Sequence, residues 1–385
     1  MTKLTTDLIR NQIKRTEFNE HSAPLYLTSS YVFDDPEDMR AQFSDEKEGL
    51  IYSRYGNPNV NEFIQRMALL EGAENGWATA TGMSAVFTLF GALLSAGDHI
   101  VSCRSIFGST HKLLTEILPK WNINSNYVNF DDYEGYEAAI KENTKIVYIE
   151  TPSNPGLDII DIERLAAICK RKKVLLVVDN CFATPLLQQP LALGADVTIH
   201  SSTKYIDGQG RTLGGIILAS NEIIDEVKNF ARHSGPALSP FNAWIQSKSL
   251  ETLDVRMERH CNSAFEIAKR LEQTSAIAQV KYPFLETHPQ FEIAKRQMSA
   301  GGGIISFELK SGVHGGQRFL DRLQLFSLTA NLGDVKSIAT HPASTTHSKL
   351  TPEQRLEVGI TDGLIRLSIG LENVEDLWED ILHAL

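Results

Sequence analysis

The stretch Val174-Leu175-Leu176-Val177-Val178-Asp179-Asn180 decides the fold. Five consecutive apolar residues leave no polar face, so a strand built from them is covered on both sides, as in a parallel sheet flanked by helices. The run then ends on a carboxylate and an amide. In an open α/β sheet, ligands sit beyond the carboxyl ends of the strands, which makes Asp179 the first residue to follow.

Working outward, the pattern repeats. Apolar runs predict strands over 77–80, 99–102, 146–149 and 197–200, and helical spacing predicts helices over 60–70, 84–94, 110–118 and 162–170. This alternation points to an α/β domain with a mainly parallel central sheet and helices on both faces. After Pro240 the character changes: one long helical stretch over 241–271, strands over 303–309 and 364–369, and a last helix near 374–382. These grouped strands and helices predict a smaller C-terminal α+β domain, with residues 57–245 as the large domain and 246–385 as the small one. The first 56 residues are irregular, because Pro24, Ser29-Ser30, Asp34-Asp35 and Pro36 break any helix beyond one over 5–16. A coil of that length is uncommon inside a compact domain, so this arm is expected to lie against a neighbouring subunit.

The chain has 385 residues, more than the roughly 250–300 at which a single core stops growing. Hydrophobic residues make up 42% and charged residues 22%, the balance of a folded globular protein. A net charge of −11 argues against nucleic acid and against anionic membrane as partners. The basic run Lys170-Arg171-Lys172-Lys173 reads as a solvated helix end. Cys103, Cys169, Cys181 and Cys261 form no C-x-x-C pair, which fits free thiols in a reducing compartment. The longest apolar segment, 86–94, is about half a bilayer span and contains Gly91. A soluble, cytoplasmic protein is expected.

Chemistry is then sought after each strand. Thr81-Gly82-Met83-Ser84 follows the first and opens a helix, a turn whose N–H groups suit a phosphate. Glu150-Thr151-Pro152-Ser153-Asn154-Pro155 follows the strand over 146–149 and offers an amide. Ser201-Ser202-Thr203-Lys204 follows the strand over 197–200 and bunches hydroxyls with an amine. Burying Lys204 beside Asp179 costs several kcal/mol unless each is paired. One chemistry wants these pieces together: pyridoxal phosphate held as a lysine Schiff base. The lysine must lose its charge, the aspartate keeps the ring nitrogen protonated, and hydroxyls and helix-start amides hold the phosphate.

Other motifs compete poorly. Gly208-Gln209-Gly210-Arg211-Thr212-Leu213 fails G-x-G-x-x-G at its last position, and there is no G-x-x-x-x-G-K-[ST]. Ser201-x-x-Lys204 matches the S-x-x-K of penicillin-recognising acyl-transferases, with Tyr127-Val128-Asn129 and Lys310-Ser311-Gly312 as partial second and third motifs, but the order is wrong. No metal is expected: H-E-x-x-H is absent, and the six-residue spacing of His341 and His347 suits neither face of one helix. Cys181 reads as a buried packing thiol.

Six ordered stretches carry a resemblance over essentially the full length. They are Tyr52-Ser53-Arg54-Tyr55-Gly56-Asn57-Pro58, Ala80-Thr81-Gly82-Met83-Ser84-Ala85, Glu150 to Pro155, Val178-Asp179-Asn180, His200-Ser201-Ser202-Thr203-Lys204-Tyr205 and Arg366-Leu367-Ser368-Ile369-Gly370. In them the sequence resembles the cysteine/methionine-metabolism branch of the fold-type-I pyridoxal-phosphate enzymes. Within it, Lys204-Tyr205-Ile206-Asp207-Gly208-Gln209-Gly210-Arg211 and Ser239-Pro240-Phe241-Asn242-Ala243-Trp244 are most similar to its O-succinylhomoserine sulfhydrylases. The resemblance implies Lys204 as the Schiff-base lysine, Asp179 opposite the pyridine nitrogen and Asn154 beside the ring hydroxyl. It implies Gly82, Met83, Ser201 and Thr203 as phosphate ligands, with Tyr52 and Arg54 reaching the phosphate of a neighbouring subunit in a homotetramer of two tight dimers. Arg366 would clamp the substrate carboxylate. Strand alternation supports it, placing Arg366 and Ser368 on one face and Ile365, Leu367 and Ile369 on the other.

Two positions depart from the family pattern. Phe107 stands where lyases and cystathionine synthases of the branch usually have a ring-stacking tyrosine, and Asn331 replaces a serine that commonly helps hold the carboxylate. Phenylalanine stacks but transfers no proton. A leaving carboxylate, of conjugate-acid pKa about 4, departs without one, whereas a leaving thiolate, of about 8.5, benefits from one. The expected reaction in methionine biosynthesis is γ-replacement on O-succinyl- or O-acetylhomoserine with sulfide, giving homocysteine. The alternatives are cystathionine γ-synthesis with cysteine as nucleophile, and γ-elimination from methionine or cystathionine.

Overall fold

The computed structural model describes residues 3–345, 348, 351–357 and 359–385. Seven strands form the central sheet: β1 (Asn75–Thr79), β2 (His99–Cys103), β3 (Asn124–Val128), β4 (Thr144–Glu150), β5 (Leu175–Asp179), β6 (Val197–His200) and β7 (Gly215–Ala219). Their order is β1-β7-β6-β5-β4-β2-β3. β3, β2, β4, β5 and β6 are parallel neighbours, and β7 runs antiparallel to both β6 and β1. β1 therefore points the same way as the parallel set, and the carboxyl ends of β1, β4, β5 and β6 share one edge.

The apolar run of β5 behaves as its composition requires: Leu176, Val177 and Val178 are fully buried. The helix Gly82–Leu93 packs on β6 and β7, as does Pro58–Glu71 on β1 and β7. β3 and β7 are not among the expected strands. β3 is a polar edge strand, Asn-Ser-Asn-Tyr-Val, with no apolar run to mark it. β7 begins at Gly215, directly after Gly214. Here the glycine serves close approach, since a Cβ on Gly215 would lie 2.2 Å from the Thr81 carbonyl oxygen.

The second sheet has β8 (Ile277–Lys281), β9 (Ile304–Leu309), β10 (Ser327–Leu328), β11 (Ile338–Thr340) and β12 (Leu364–Ser368), in the order β10-β11-β12-β9-β8. The single helix expected over 241–271 is two, Pro240–Leu250 and Leu253–Glu272. Thr252 leaves helical geometry at φ −115° and ψ 6°. The Ser249 carbonyl freed by the break accepts from the Thr252 N–H at 3.2 Å and from Arg256 Nη2 at 3.0 Å. The helix Leu253–Glu272 serves both layers. Leu253, Met257 and Cys261 join the core beneath the first sheet, and Ala264, Ile267, Ala268 and Leu271 join the core of the second.

The arm holds two surprises. Its first helix, Leu4–Arg10, stops short of the expected 5–16, and a second, Pro36–Phe43, forms where breakers were read. Asp35 caps that helix by accepting from the Glu37 and Asp38 N–H groups, and Pro36 occupies its first turn. The residues taken for punctuation are helix-start signals. Side-chain amides of Asn57 and Asn59, and the Trp244 indole, bond Tyr26, Pro24 and Ala23 carbonyls at 2.8–3.0 Å and tie part of the arm down. Beyond these ties Phe18 is 83% and Val32 99% exposed.

Candidate active site

The site assembles at the shared edge of the central sheet. Thr81 caps the helix Gly82–Leu93 in a reciprocal box with Ser84, its hydroxyl and N–H each bonding the other residue at 3.0 Å. The N–H groups of Gly82 and Met83, first in the helix, are left without a protein acceptor among the described residues. Gly82 lies flat against Ser201: a Cβ there would come within 2.6 Å of the Ser201 Cβ and 2.9 Å of its Oγ. Thr203 Oγ1 bonds the Gly214 carbonyl and N–H at 3.3 and 3.2 Å, which fixes the turn after β6. Helix-start donors and the Ser201 hydroxyl thus lie side by side, the donor set that an oxyanion takes.

Asp179 ends β5 in register with Glu150 at the end of β4. Its Oδ1 accepts the Cys181 N–H at 3.1 Å and its Oδ2 accepts from Tyr148 Oη at 3.3 Å. Burial pushes its pKa above the ordinary value, against the bonds from Cys181 and Tyr148 and the influence of His200. Such a desolvated carboxyl gains most from a cation placed opposite it, which a protonated pyridine nitrogen is. Burial and then Asp179 drive the Glu150 carboxyl well above its ordinary value too. Glu150 Oε2 accepts the Phe107 N–H at 2.7 Å, anchoring the aromatic loop; the Phe107 ring itself is 44% exposed.

Lys204 Nζ donates to Asn331 Oδ1 at 2.8 Å, and burial depresses its pKa, with Arg366 adding to the effect. Arg366, on β12, donates through Nη1 to Asn154 Oδ1 at 2.9 Å and through Nη2 to the Asn331 carbonyl at 3.2 Å. Its Nε is buried with no acceptor among the described residues, and burial lowers its pKa to about 10. Ser368, on the same face, accepts the Gly333 N–H at 2.8 Å, while Ile365, Leu367 and Ile369 enter the core. Gly333 sits at φ +71° with space only for hydrogen, since a Cβ would lie 2.7 Å from the Tyr205 nitrogen. The loop carrying Asn331 is thereby pressed onto the turn carrying Lys204.

The structure therefore brings Lys204, Asn331, Arg366 and Asn154 into one chain of hydrogen bonds. Around it stand Asp179, Phe107, Gly82, Ser201 and Thr203, with Met83 accepting a weak bond from Thr110 at 3.7 Å. Tyr52 and Arg54 stand elsewhere. Arg54 donates to the Arg232 carbonyl and lies over the Tyr52 and Tyr55 rings at 5.6 and 4.8 Å. Cys181 packs against the core as expected but is only partly buried, and its Sγ, beside Asp179, also accepts the Ser201 N–H at 2.8 Å. Sequence reasoning also passed over Tyr148, though period-two alternation puts it on the face of Glu150. The acyl-transferase pattern does not assemble. Lys310 bonds the Ser275 carbonyl at 2.6 Å on an exposed surface, and Tyr127 stacks on His111. His341 is a satisfied core histidine, bonded to Ser344 Oγ at 2.7 Å and the Asp362 carbonyl at 2.9 Å; His347 lies outside the described residues.

An anion cradle, a desolvated amine, a carboxyl seeking a cation and an unpaired guanidinium N–H fit pyridoxal phosphate and an amino-acid carboxylate. Comparison with known proteins agrees. The sequence is 48% identical over 377 residues to an O-succinylhomoserine sulfhydrylase of Pseudomonas aeruginosa, covering 98% of this chain and 94% of that one. It is 42% identical over 365 residues to an L-methionine gamma-lyase of Fusobacterium nucleatum, covering 94% and 92%. The fold superposes with a TM-score of 0.95, at 35% identity and over 100% and 99% of the two chains, on a Campylobacter jejuni protein described as an O-acetylhomoserine (thiol)-lyase. That protein carries an N'-pyridoxyl-lysine 5'-monophosphate residue. With residues 5–385 matching the family model as well, the chain belongs to the Cys/Met metabolism PLP-dependent enzymes.

Proposed function

We propose that the protein catalyses γ-replacement on an O-acylhomoserine, O-succinyl- or O-acetylhomoserine, with sulfide as nucleophile and homocysteine as product. The observation that carries this reading is Phe107, a ring without a proton, held at the site by Glu150. The names of the relatives support it. Bound pyridoxal phosphate supplies an electron sink for negative charge developed on the substrate carbons. Lys204 provides the amine: desolvation lowers its pKa, so it is available as a base at the substrate Cα. Asp179 holds the ring nitrogen in its protonated form. Gly82, Met83, Ser201 and Thr203 hold the phosphate, and Asn154 lies beside the ring hydroxyl. Arg366 orients the substrate through its carboxylate, using the Nε that has no acceptor among the described residues. Asn331, which accepts from Lys204 and offers its carbonyl to Arg366, keeps amine and clamp at a fixed separation. The acyl carboxylate leaves Cγ unaided by an acid, and the thiolate adds there.

The reading includes assembly as a homotetramer of two tight dimers, in a cytoplasmic setting. Tyr52 and Arg54 lack contacts with the Lys204 group, and the arm ahead of them exposes apolar side chains; both facts favour a role in a neighbouring subunit's phosphate site. Four unpaired thiols fit a reducing compartment.

A side-by-side assay tests the reaction: both acylhomoserines with sulfide and with cysteine, against cystathionine and methionine alone. Replacement is expected to exceed α-keto acid release from either thioether. Phe107→Tyr should raise elimination relative to replacement, because it restores a proton donor to the ring face. Faster elimination by the unaltered enzyme would refute the argument from Phe107.

A further inference from the structure

Glu71 ends the helix Pro58–Glu71 and is 1% exposed. Its Oε1 accepts from Asn180 Nδ2 at 3.2 Å and meets His200 Nε2. His200 donates to that oxygen in its Nε2–H tautomer, the one that pairs with an ionised Glu71. These two residues hold privileged places. Asn180 directly follows Asp179, and His200 directly precedes the Ser201-to-Lys204 turn. Asp179 and Ile199 are partners in register, so alternation turns the next side chains, Asn180 and His200, to the opposite face of the sheet, where Glu71 waits.

The clamp reaches a third strand. Gln188 Nε2 donates to Asn180 Oδ1 at 2.9 Å and to the Thr151 carbonyl at 2.8 Å, and Asn180 Nδ2 donates to the Gln188 carbonyl at 2.8 Å. Thr151 opens the turn that carries Asn154. The main-chain ladder between β5 and β6 ends with the Asn180 N–H to the Ile199 carbonyl at 3.0 Å. Past that bond, side chains alone set how the strand ends lie relative to one another.

A helix end does not need a carboxylate in this place. Glu71 Oε2 is buried with no hydrogen-bond partner among the described residues, a costly arrangement that an amide or apolar residue would avoid. The mechanism described above does not use it. We propose that Glu71 is a positioning residue which, through His200 and Asn180, fixes the ends of β5 and β6 so that Asp179 and Lys204 engage the same pyridoxal ring. This rests on the reading of Lys204 and Asp179 as the residues that hold the cofactor.

The test compares holoenzymes: unaltered, Glu71→Gln, His200→Gln and the double variant. Two quantities are read besides activity: the release rate of pyridoxal phosphate into a trapping apoenzyme, and the pH midpoint of the bound cofactor's absorption band. Of the groups around Asp179, Tyr148, Cys181 and Glu150 are unaltered throughout; His200, which also acts on Asp179, is kept in Glu71→Gln, so the midpoint of that variant reports positioning alone. Each single variant should release cofactor about tenfold faster, the scale of one charge-assisted hydrogen bond, and move the midpoint. The double variant, which can rebuild a neutral amide pair, should recover most of both. If Glu71→Gln does not fold, His200→Gln, which spares the Glu71–Asn180 bond, is read the same way. Release and midpoint unchanged in the singles, whatever their melting temperatures, would overturn the proposal and leave Glu71 a purely structural group. The parent reading is judged apart from this: borohydride should fix cofactor mass on Lys204 of the unaltered enzyme, and its failure there would sink that reading alone.

Discussion

Arg366 concentrates the residue-scale argument. Its guanidinium is buried and already spends two nitrogens on Asn154 and Asn331, leaving Nε for a ligand. A lysine keeps the charge but loses the planar fork and abandons both partners. Arg366→Lys should lower kcat/KM for the acylhomoserine by about 30- to 1000-fold, at roughly 2–4 kcal/mol for lost charge-assisted bonds, chiefly through KM. Steady-state kinetics on cofactor-loaded protein check this, and an unchanged KM would remove Arg366 from substrate binding. Arg366, Lys204 and Asp179 were legible in the sequence because each is a charge in or just beyond an apolar strand, where burial demands a reason. Cys181 packs against the core as its type suggests, but its bond to the Ser201 N–H at the site was not legible, because a thiol is as much at home in a core as in a site. Glu71 offered no sign either: before Gly72 at a helix end, a glutamate looks like solvated surface.

At the scale of elements, the helix Leu253–Glu272 carries His260 fully buried, bonded through Nδ1 to the Ile369 carbonyl at 2.6 Å and edge-on to Tyr205. Burial pushes its pKa down to about 4, as it does for His288. Between about pH 6.5 and 4 the unfolded chain therefore takes up protons that the folded chain refuses. Stability is full above that window and falls as the pH drops through it, by about 3 kcal/mol per histidine once both states are protonated. Urea unfolding across the window should show a shallower fall for His260→Asn than for the unaltered protein. Equal slopes would assign the acid loss to other groups. The elements themselves were readable where burial on both faces left an uninterrupted apolar run, as in β4 and β5. They were not readable where pairing alone makes the strand, as in β3. The break at Thr252 was equally hidden, because the Arg256 bond to the Ser249 carbonyl that accompanies it is set by the fold and not by local propensity.

For the whole molecule, the arm decides whether one chain suffices. Arg54 and Lys204 belong to different clusters of the same chain, and under the proposed assembly each active site draws one from each of two subunits. Arg54→Ala and Lys204→Ala should each be inactive, and mixing them under conditions of subunit exchange should restore activity, because some hybrid sites carry both intact residues. Proven hybrids without rescue would place the whole site in one chain. The broad α/β plan was visible in the sequence, whereas the sharing of one helix between two cores was not, since it requires knowing which layers lie above and below it. That shared helix has a consequence for how the chain evolves and can be engineered. Its leading turns are keyed to one layer and its trailing turns to the other, so the two layers cannot be traded between relatives like interchangeable cassettes. A crossover within 253–272 would pair a foreign stripe with each core at once. Recombination is tolerated best where the helix travels whole, together with both surfaces it seals.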